Sequence, residues 1–425
     1  MDSKQCVQIK FNQYLNKYQG KDLTRPEQKV FRQTAFGILR SNHVHLTRIG
    51  SSLQESIRLK KTCKRLSYHL GKSDFYQRLT DAHLSANRYV LSQCKYLVVD
   101  GSDMIKPFAK KMEGLSRVHD GSTHDIGNGY WQLNFIGVSP ERNSTVLASS
   151  RLYSYYTDHE EADISENGII FSELARIDAH VAEKQTVVID RGGDRRLLIE
   201  RFLEAKRPFI IRQKGNRYIR HGGRQRLLAT VGEQTKLSRR VKVVRMRGGR
   251  RIVHEFHCGS VRVFLPHEHR EDNWEHPLWL VTVQRAGKGR VHFLSYIPAK
   301  TQKQAIEIVM EGYGCRWRIE EVHRQIKQDY HYESVSLRRY VALRNFNTLF
   351  WMTMGFLYQH LEDVSLKLIL VSREPLIYTG RLKDMGGFYL YKLSRVVSDL
   401  FSQTKIRGPS SGQKNKSAQL ILAIE

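Results

Sequence analysis

The chain has 425 residues, room for two or three domains with sizeable cores. Lys plus Arg number 70 against 42 Asp plus Glu, a formal net charge of +28 that points to a polyanionic partner, nucleic acid before a membrane surface. The five cysteines (6, 63, 94, 258 and 315) form no Cys-x-x-Cys pair, which argues against a zinc site or a disulfide scaffold and favours a reducing cytoplasm.

Residues 1–92 read as a basic helical region. Pro26-Glu27-Gln28 opens one helix, and Ser51-Ser52-Leu53-Gln54-Glu55 opens another that carries Arg58, Lys61 and Arg65 on one face with Lys60 and Lys64 beside it. Leu46–Leu53 has the pattern of the turn in a helix-turn-helix, although a helical bundle with a solvated cationic face fits the same residues. Met1–Gln5 lacks the apolar core of a signal peptide. From residue 93 the pattern alternates. Tyr96-Leu97-Val98-Val99 is a short buried strand ending on Asp100. Tyr130–Val138 and Ser144–Ser149 form a hairpin around Ser139–Asn143. A helix near Ile170–Glu183 precedes the strand Thr186–Ile189, which ends on Asp190; a helix over Asp194–Ala205 and a strand over Pro208–Arg212 follow.

Residues 215–299 read as an all-β, Arg-rich insertion. Its strands are expected at Arg239–Met246, Arg250–His257, Ser260–Leu265, Leu278–Val283 and Val291–Tyr296, with turns at Gly248-Gly249 and Gly287–Gly289. Helix returns from Gln302 to Gln328 and again from Leu337 to His360. The most apolar run, Leu349–Tyr358, is too short to cross a bilayer and reads as a buried helix. Residues 366–425 form a C-terminal region whose end, Thr404–Lys416, has the composition of a mobile linker.

The most informative stretch is Tyr313–Lys327. At about 100° per residue, Tyr313, Arg316, Glu320 and Lys327 fall within an arc of roughly 60°, while Cys315, Ile319, Val322 and Ile326 form a buried stripe about 120° away. The polar face thus presents a carboxylate beside a phenol and two cations, a set suited to a metal ion and a phosphate held side by side. An amphipathic helix with a charged wet face is the plainer reading, and an Asp after a strand is more often a turn residue. Two strand-end carboxylates, Asp100 and Asp190, followed by a Glu on a basic helix form a rarer combination.

The Tyr-x2-Arg-x3-Glu-x6-Lys spacing resembles the hallmark of DDE transposases of the "insertion sequence four" family. The segment Asp190-Arg191-Gly192-Gly193-Asp194 is similar to that family's Asp-Arg-x-x-Asp motif, and Asp100 matches its first carboxylate. The likeness spans roughly residues 90–355. It implies a ribonuclease-H-like α/β core (93–214 and 300–365) interrupted by a β-rich insertion, after a helical DNA-binding region. Asp100, Asp190 and Glu320 are then the catalytic carboxylates and the ligands of two Mg²⁺ ions, for which Mn²⁺ substitutes. Tyr313, Arg316 and Lys327 would hold DNA phosphates, with Arg191 and Arg324 as further backbone contacts. Trp317 would stack on a displaced base or else be buried in the core, and Trp274 or Trp279 in the insertion would wedge into an opened duplex. The expected activity is cut-and-paste transposition: cleavage at the inverted-repeat ends of an insertion sequence and strand transfer into double-stranded target DNA. A homodimer would act on paired ends in a prokaryotic cytoplasm, at the nucleoid. A ribonuclease-H-like structure-specific nuclease and a non-catalytic, transposase-derived DNA-binding protein are the alternatives.

Overall fold

The computed structural model describes residues 3–19, 23–119, 121, 125–158, 165–247, 250–266, 276–360, 397–399, 401–402, 404–406 and 422–424. Five helices come first: α1 (Ser3–Asn16), α2 (Arg25–Ser41), α3 (Leu46–Ser52), α4 (Leu59–Lys72) and α5 (Tyr76–Ser92). A capping box opens α2, in which Thr24 accepts from the amide of Glu27 and the Glu27 carboxylate takes the Thr24 amide. Leu46–Ser52 is thus itself helical, where a turn was expected. Ser51 and Ser52 end that helix, and the next begins at Leu59. The basic face lies on α4, where Lys60, Lys61 and Lys64 are exposed.

The sheet strands follow: β1 (Tyr96–Ile105), β2 (Ser116–His119), β3 (Ile126–Ser139) and β4 (Ser144–Tyr153). After α6 (Glu166–Asp178) come β5 (Thr186–Ile189), α7 (Arg196–Glu204) and β6 (Phe209–Arg212). β1 pairs antiparallel with β3 and parallel with β5, β5 pairs parallel with β6, and β4 lies antiparallel on the far edge of β3. β1 runs to Ile105, past the expected end at Asp100. Asp, Gly and Ser are poor strand formers, but every residue from Tyr96 to Ile105 has a partner on β3, and that pairing overrides propensity.

The segment after β6 continues the same sheet. A small hairpin, β7 (Tyr218–His221) and β8 (Arg224–Leu227), leads into α8 (Leu228–Gln234), so the insertion is not all β as expected. Then come β9 (Arg239–Arg247), β10 (Arg250–Val263), β11 (Leu278–Arg285) and β12 (Arg290–Tyr296). β12 pairs antiparallel with β6, giving the order β2-β3-β1-β5-β6-β12-β11-β10-β9 among the described strands. The two strands expected at 250–257 and 260–265 are one. Gly259 does not break it: a Cβ there would lie 2.2 Å from the carbonyl oxygen of Lys236, so glycine is needed for close backbone approach.

The chain closes with α9 (Gln302–Gly314), α10 (Trp317–Arg324), a π turn at Gln325–Asp329, a 3₁₀ turn at Tyr332–Ser334 and α11 (Tyr340–His360). A short pair, β13 (Thr404–Ile406) and β14 (Leu422–Ile424), is described in the C-terminal region. The rest of the expected mobile tail lies outside the described residues. The helix expected from Gln302 to Gln328 is interrupted at Cys315-Arg316 and widens after Arg324. α11 packs on β4 and is wrapped by the N-terminal helices. The Asn345 side chain takes the amide of Phe75 and donates to the carbonyls of Leu70 and Ser73, and Arg344 pairs with Asp74 and Asp158. The N-terminal helices therefore share a core with the C-terminal helix. No helix among the described residues is long and apolar enough to cross a membrane.

α9 reaches the sheet through Gly312, where a Cβ would stand 2.6 Å from the Tyr96 ring and 2.7 Å from Ile210 Cδ1. Gly312→Ala must push this helix, and the motif behind it, off β1 and β6. The expected loss is roughly 1–3 kcal/mol, seen as a lower urea midpoint at constant m value. An unchanged midpoint would contradict the close approach.

Candidate functional site

The parallel ladder between β1 and β5 ends at Val99↔Ile189. The next residue on each strand is an acid, so Asp100 and Asp190 leave the same end of adjacent strands. Their backbones diverge there. Asp100 stays in β1, opposite Asn134 of β3, whereas Asp190 caps a single 3₁₀ turn, its Oδ1 accepting from the Gly192 amide at 2.7 Å.

The third acid comes from α10. Cys315, Ile319, Val322 and Ile326 are all buried, as the stripe required. With that face fixed, Arg316 and Glu320 project toward β1. The Arg316 guanidinium donates to Asp100 Oδ2 at 3.2 Å and also pairs with Glu320. The α10 backbone is further tied to the sheet through its half-buried His323, whose Nε2 lies 2.9 Å from Nδ2 of the fully buried Asn134. Burial, with Lys327 and Arg316 nearby, pushes His323 down to about 3, so it is a neutral acceptor for the Asn134 amide.

Asp100 feels both of the other acids. Burial raises Asp100 to about 7; Arg316 opposes the shift, and the charges of Asp190 and Glu320 add to it. Arg316 is itself held above the usual guanidinium range: burial works against its charge, but Asp100 and Glu320 outweigh that, with smaller help from Tyr313 and Asp190. Three carboxylates thus share one field, and a guanidinium answers it.

The remaining motif residues are placed as follows. The Tyr313 ring packs on Phe293 at 4.5 Å, with the Arg316 guanidinium 5.9 Å from its centre. Lys327 lies in the π turn. Its ammonium is 3.2 Å from both Asp103 of β1 and Glu333. Arg191 is exposed beside Asp190, and Arg324 pairs with Glu321 at 3.6 Å. Burial raises Glu321 to about 7, with Arg324 opposing. Trp317 is 40% exposed at the start of α10. Trp279 is not a free wedge: it is buried, its indole donates to the Ala299 carbonyl at 3.1 Å, and Arg262 covers its ring at 3.8 Å. Trp274 lies outside the described residues.

Sequence reasoning missed Asp103, Glu333, Asn134 and His323, whose parts are set by cross-strand register and by the π turn. It also gave no role to Asp194, which is structural: it pairs with Arg217 at 2.6 Å and takes the Lys214 amide, fastening the turn after β5 to the segment after β6.

Among the described residues, no group of three or more His, Cys, Asp or Glu side chains is gathered closely enough to hold a metal ion. The donors nevertheless suit a hard divalent cation, being carboxylate oxygens, one of which, Asp100, is raised by burial and by the charges of the other two. The cation now between Asp100 and Glu320 is Arg316.

Residues 171–354 match the family model described as the transposase DDE domain. The matched stretch contains Asp190, Glu320 and the whole Tyr313–Lys327 motif, while Asp100 precedes it. No curated protein matches the chain. The family match supports a DDE transposase, an enzyme class that cleaves and transfers DNA strands.

Because Asp100 is raised from its ordinary 3.8 to about 7, the folded state holds this proton more tightly than the unfolded chain. Its stabilising contribution is complete below about pH 4 and is lost as pH climbs to about 7. In protein freed of divalent cations, the stability advantage of Asp100→Asn over wild type should therefore grow by roughly 2–3 kcal/mol between pH 5 and pH 8. Denaturant titrations at the two pH values measure it; an advantage that does not change with pH would show that Asp100 lies in no such field.

Proposed function

We propose that this chain is a DNA transposase of the insertion-sequence-four type, which cleaves at the ends of its element and joins them to target DNA. The observation that carries this reading is that Asp100 and Asp190 leave the same end of adjacent parallel strands while Arg316 joins Asp100 to Glu320 of α10. The strand sequence β4-β3-β1-β5-β6, antiparallel on one side of β1 and parallel on the other, supports a ribonuclease-H-like core at 93–214 and 300–365, with 215–299 as its insertion.

In this reading Asp100, Asp190 and Glu320 hold two Mg²⁺ ions, or Mn²⁺, which when bound activate water or a 3′-hydroxyl and neutralise the attacked phosphate. Arg316 and Lys327 grip the DNA backbone, Arg in a two-pronged mode and Lys as a point charge, and the Tyr313 hydroxyl donates to a phosphate oxygen. Both cations have internal carboxylate partners, so a phosphate must compete with Asp100 and Glu320 for one and with Asp103 and Glu333 for the other. Arg191 and Arg324 serve as flanking backbone contacts, and the exposed Trp317 as a stacking surface for an unpaired base. The α4 face of Lys60, Lys61 and Lys64 takes part in recognising the element's end. Two copies acting together on paired ends, in a prokaryotic cytoplasm, complete the proposal.

Incubating the protein and Mg²⁺ with a duplex covering the inverted repeat beside its reading frame should break strands at the repeat's end. Asp100→Ala should bind that duplex without cutting it. Persistent cutting by the variant, or cutting in excess chelator, refutes the site; cutting of branched duplexes irrespective of end sequence identifies a structure-specific nuclease instead. Glu320→Gln should also abolish cutting yet bind DNA up to about fivefold more tightly, since the exposed ion pair that it breaks frees Arg316. Weaker binding, measured by fluorescence anisotropy, would contradict the competition between Glu320 and phosphate.

A further inference from the structure

We infer that the turn after β1 is a separate DNA contact, in which Phe108 stacks on a base while Lys110 and Lys111 hold the adjoining phosphates. The inference rests on the DNA-binding reading above and adds a site that the Tyr-Arg-Glu-Lys motif does not contain.

Phe108 is 93% exposed, while other exposed large apolar side chains among the described residues reach at most 71%. A single exposed apolar residue is ordinary on its own. What sets Phe108 apart is that its support is rigid. Pro107, with its fixed φ, and Phe108 are the central residues of a turn closed by the Ala109 amide on the Lys106 carbonyl at 3.1 Å. Lys106 is buried, and its ammonium donates to the backbone carbonyls of Glu333 and Val335, the latter at 2.5 Å. Its amide meets the Asn128 carbonyl at 2.7 Å.

The exit of the loop is pinned as firmly. The Glu113 amide donates to the Arg338 carbonyl at 2.9 Å, its carbonyl accepts from the buried Tyr130 hydroxyl at 2.6 Å, and its carboxylate takes the Tyr340 amide at 2.9 Å. A lysine buried to anchor a turn whose tip is a bare phenyl ring is an arrangement that presents the ring. With so much of the surround fixed, little is left to order when a planar partner arrives.

The chemistry around the ring names the partner. Lys110 and Lys111 are exposed next to it, and Arg117, on β2, is exposed beyond the loop. An aromatic face flanked by cations is the surface that unpaired nucleic acid uses, with an unstacked base on the ring and phosphates on the charges, so the base Phe108 takes is one that has left the duplex. A lone phenyl ring is too small an apolar area for a stable protein interface. The turn also shares a rim with the motif: Glu333, whose carbonyl anchors Lys106, receives Lys327 on its carboxylate at 3.2 Å. Six residues of extended chain separate Lys106 from Asp100, about 20 Å. That is about six base pairs of B-form DNA, so one duplex can span both places.

The test uses the full chain and a duplex covering the DNA beside its reading frame, with 2-aminopurine at successive positions. Affinity is followed by anisotropy as a function of salt. Phe108→Ala should weaken binding about 5- to 100-fold, leave the salt slope unchanged and abolish a 2-aminopurine signal seen with wild type about six base pairs from the cleaved phosphate. Phe108→Tyr should restore both. Lys110→Ala with Lys111→Ala should reduce the salt slope by about two. Wild-type affinity and signal in Phe108→Ala would overturn the inference and leave the transposase reading standing. A wild-type chain that does not bind the duplex would overturn both. All these side chains are exposed, so equal urea midpoints are expected and exclude unfolding as the cause.

Discussion

One guanidinium holds the candidate site together. Asp100, Asp190 and Glu320 come from a strand, a strand-end turn and a helix, and burial, with the charges of Asp190 and Glu320, raises the proton affinity of Asp100. Two unit charges about 5 Å apart in a partly buried setting repel by about 3 kcal/mol. Left alone, such repulsion would push α10 off β1. Arg316, one residue before α10 and in contact with both Asp100 and Glu320, turns it into attraction. The elements around it serve that geometry: the β1/β5 ladder that ends one residue before each Asp, Gly312 against Tyr96, and the Asn134–His323 bond.

The same contact makes the site self-neutralised in the absence of DNA. Arg316 is engaged by Asp100 and Glu320, and Lys327 by Asp103 and Glu333. In the proposed function, an anion that draws Arg316 away would leave the carboxylates in need of a cation, and the reverse, so each would favour the other through this single side chain.

Much of this was legible in the sequence because it depends on local periodicity. The apolar runs before Asp100 and Asp190 and the stripe of Cys315, Ile319, Val322 and Ile326 appear where their spacing puts them. The failures have physical causes. Asp100-Gly101-Ser102-Asp103 reads as a strand end, yet pairing with β3 carries β1 through it. Gly259 reads as a break, yet it serves a close approach of the Lys236 backbone. The helix arithmetic put Lys327 in the same arc as Arg316 and Glu320 but could not show its partners, Asp103 and Glu333, which it meets from a π turn. Leu46–Ser52 reads as a turn because of Gly50-Ser51-Ser52; packing of the buried Ile49 and Gly50 between α2 and α4 makes it a helix. Asn134 and His323 carry no motif, and only the β1/β3 register shows why they matter. Trp279 illustrates the opposite error, an aromatic offered for DNA that the core had claimed.

The proposal that the three acids share bound cations is tested most directly by replacing Mg²⁺ with Fe²⁺ on the DNA-bound protein and mapping where hydroxyl radicals cut the polypeptide. Cuts clustered at Asp100, at Asp190 and around Glu320, all suppressed by excess Mg²⁺, are the predicted result. Cuts at only one of these segments, or at none, would contradict it.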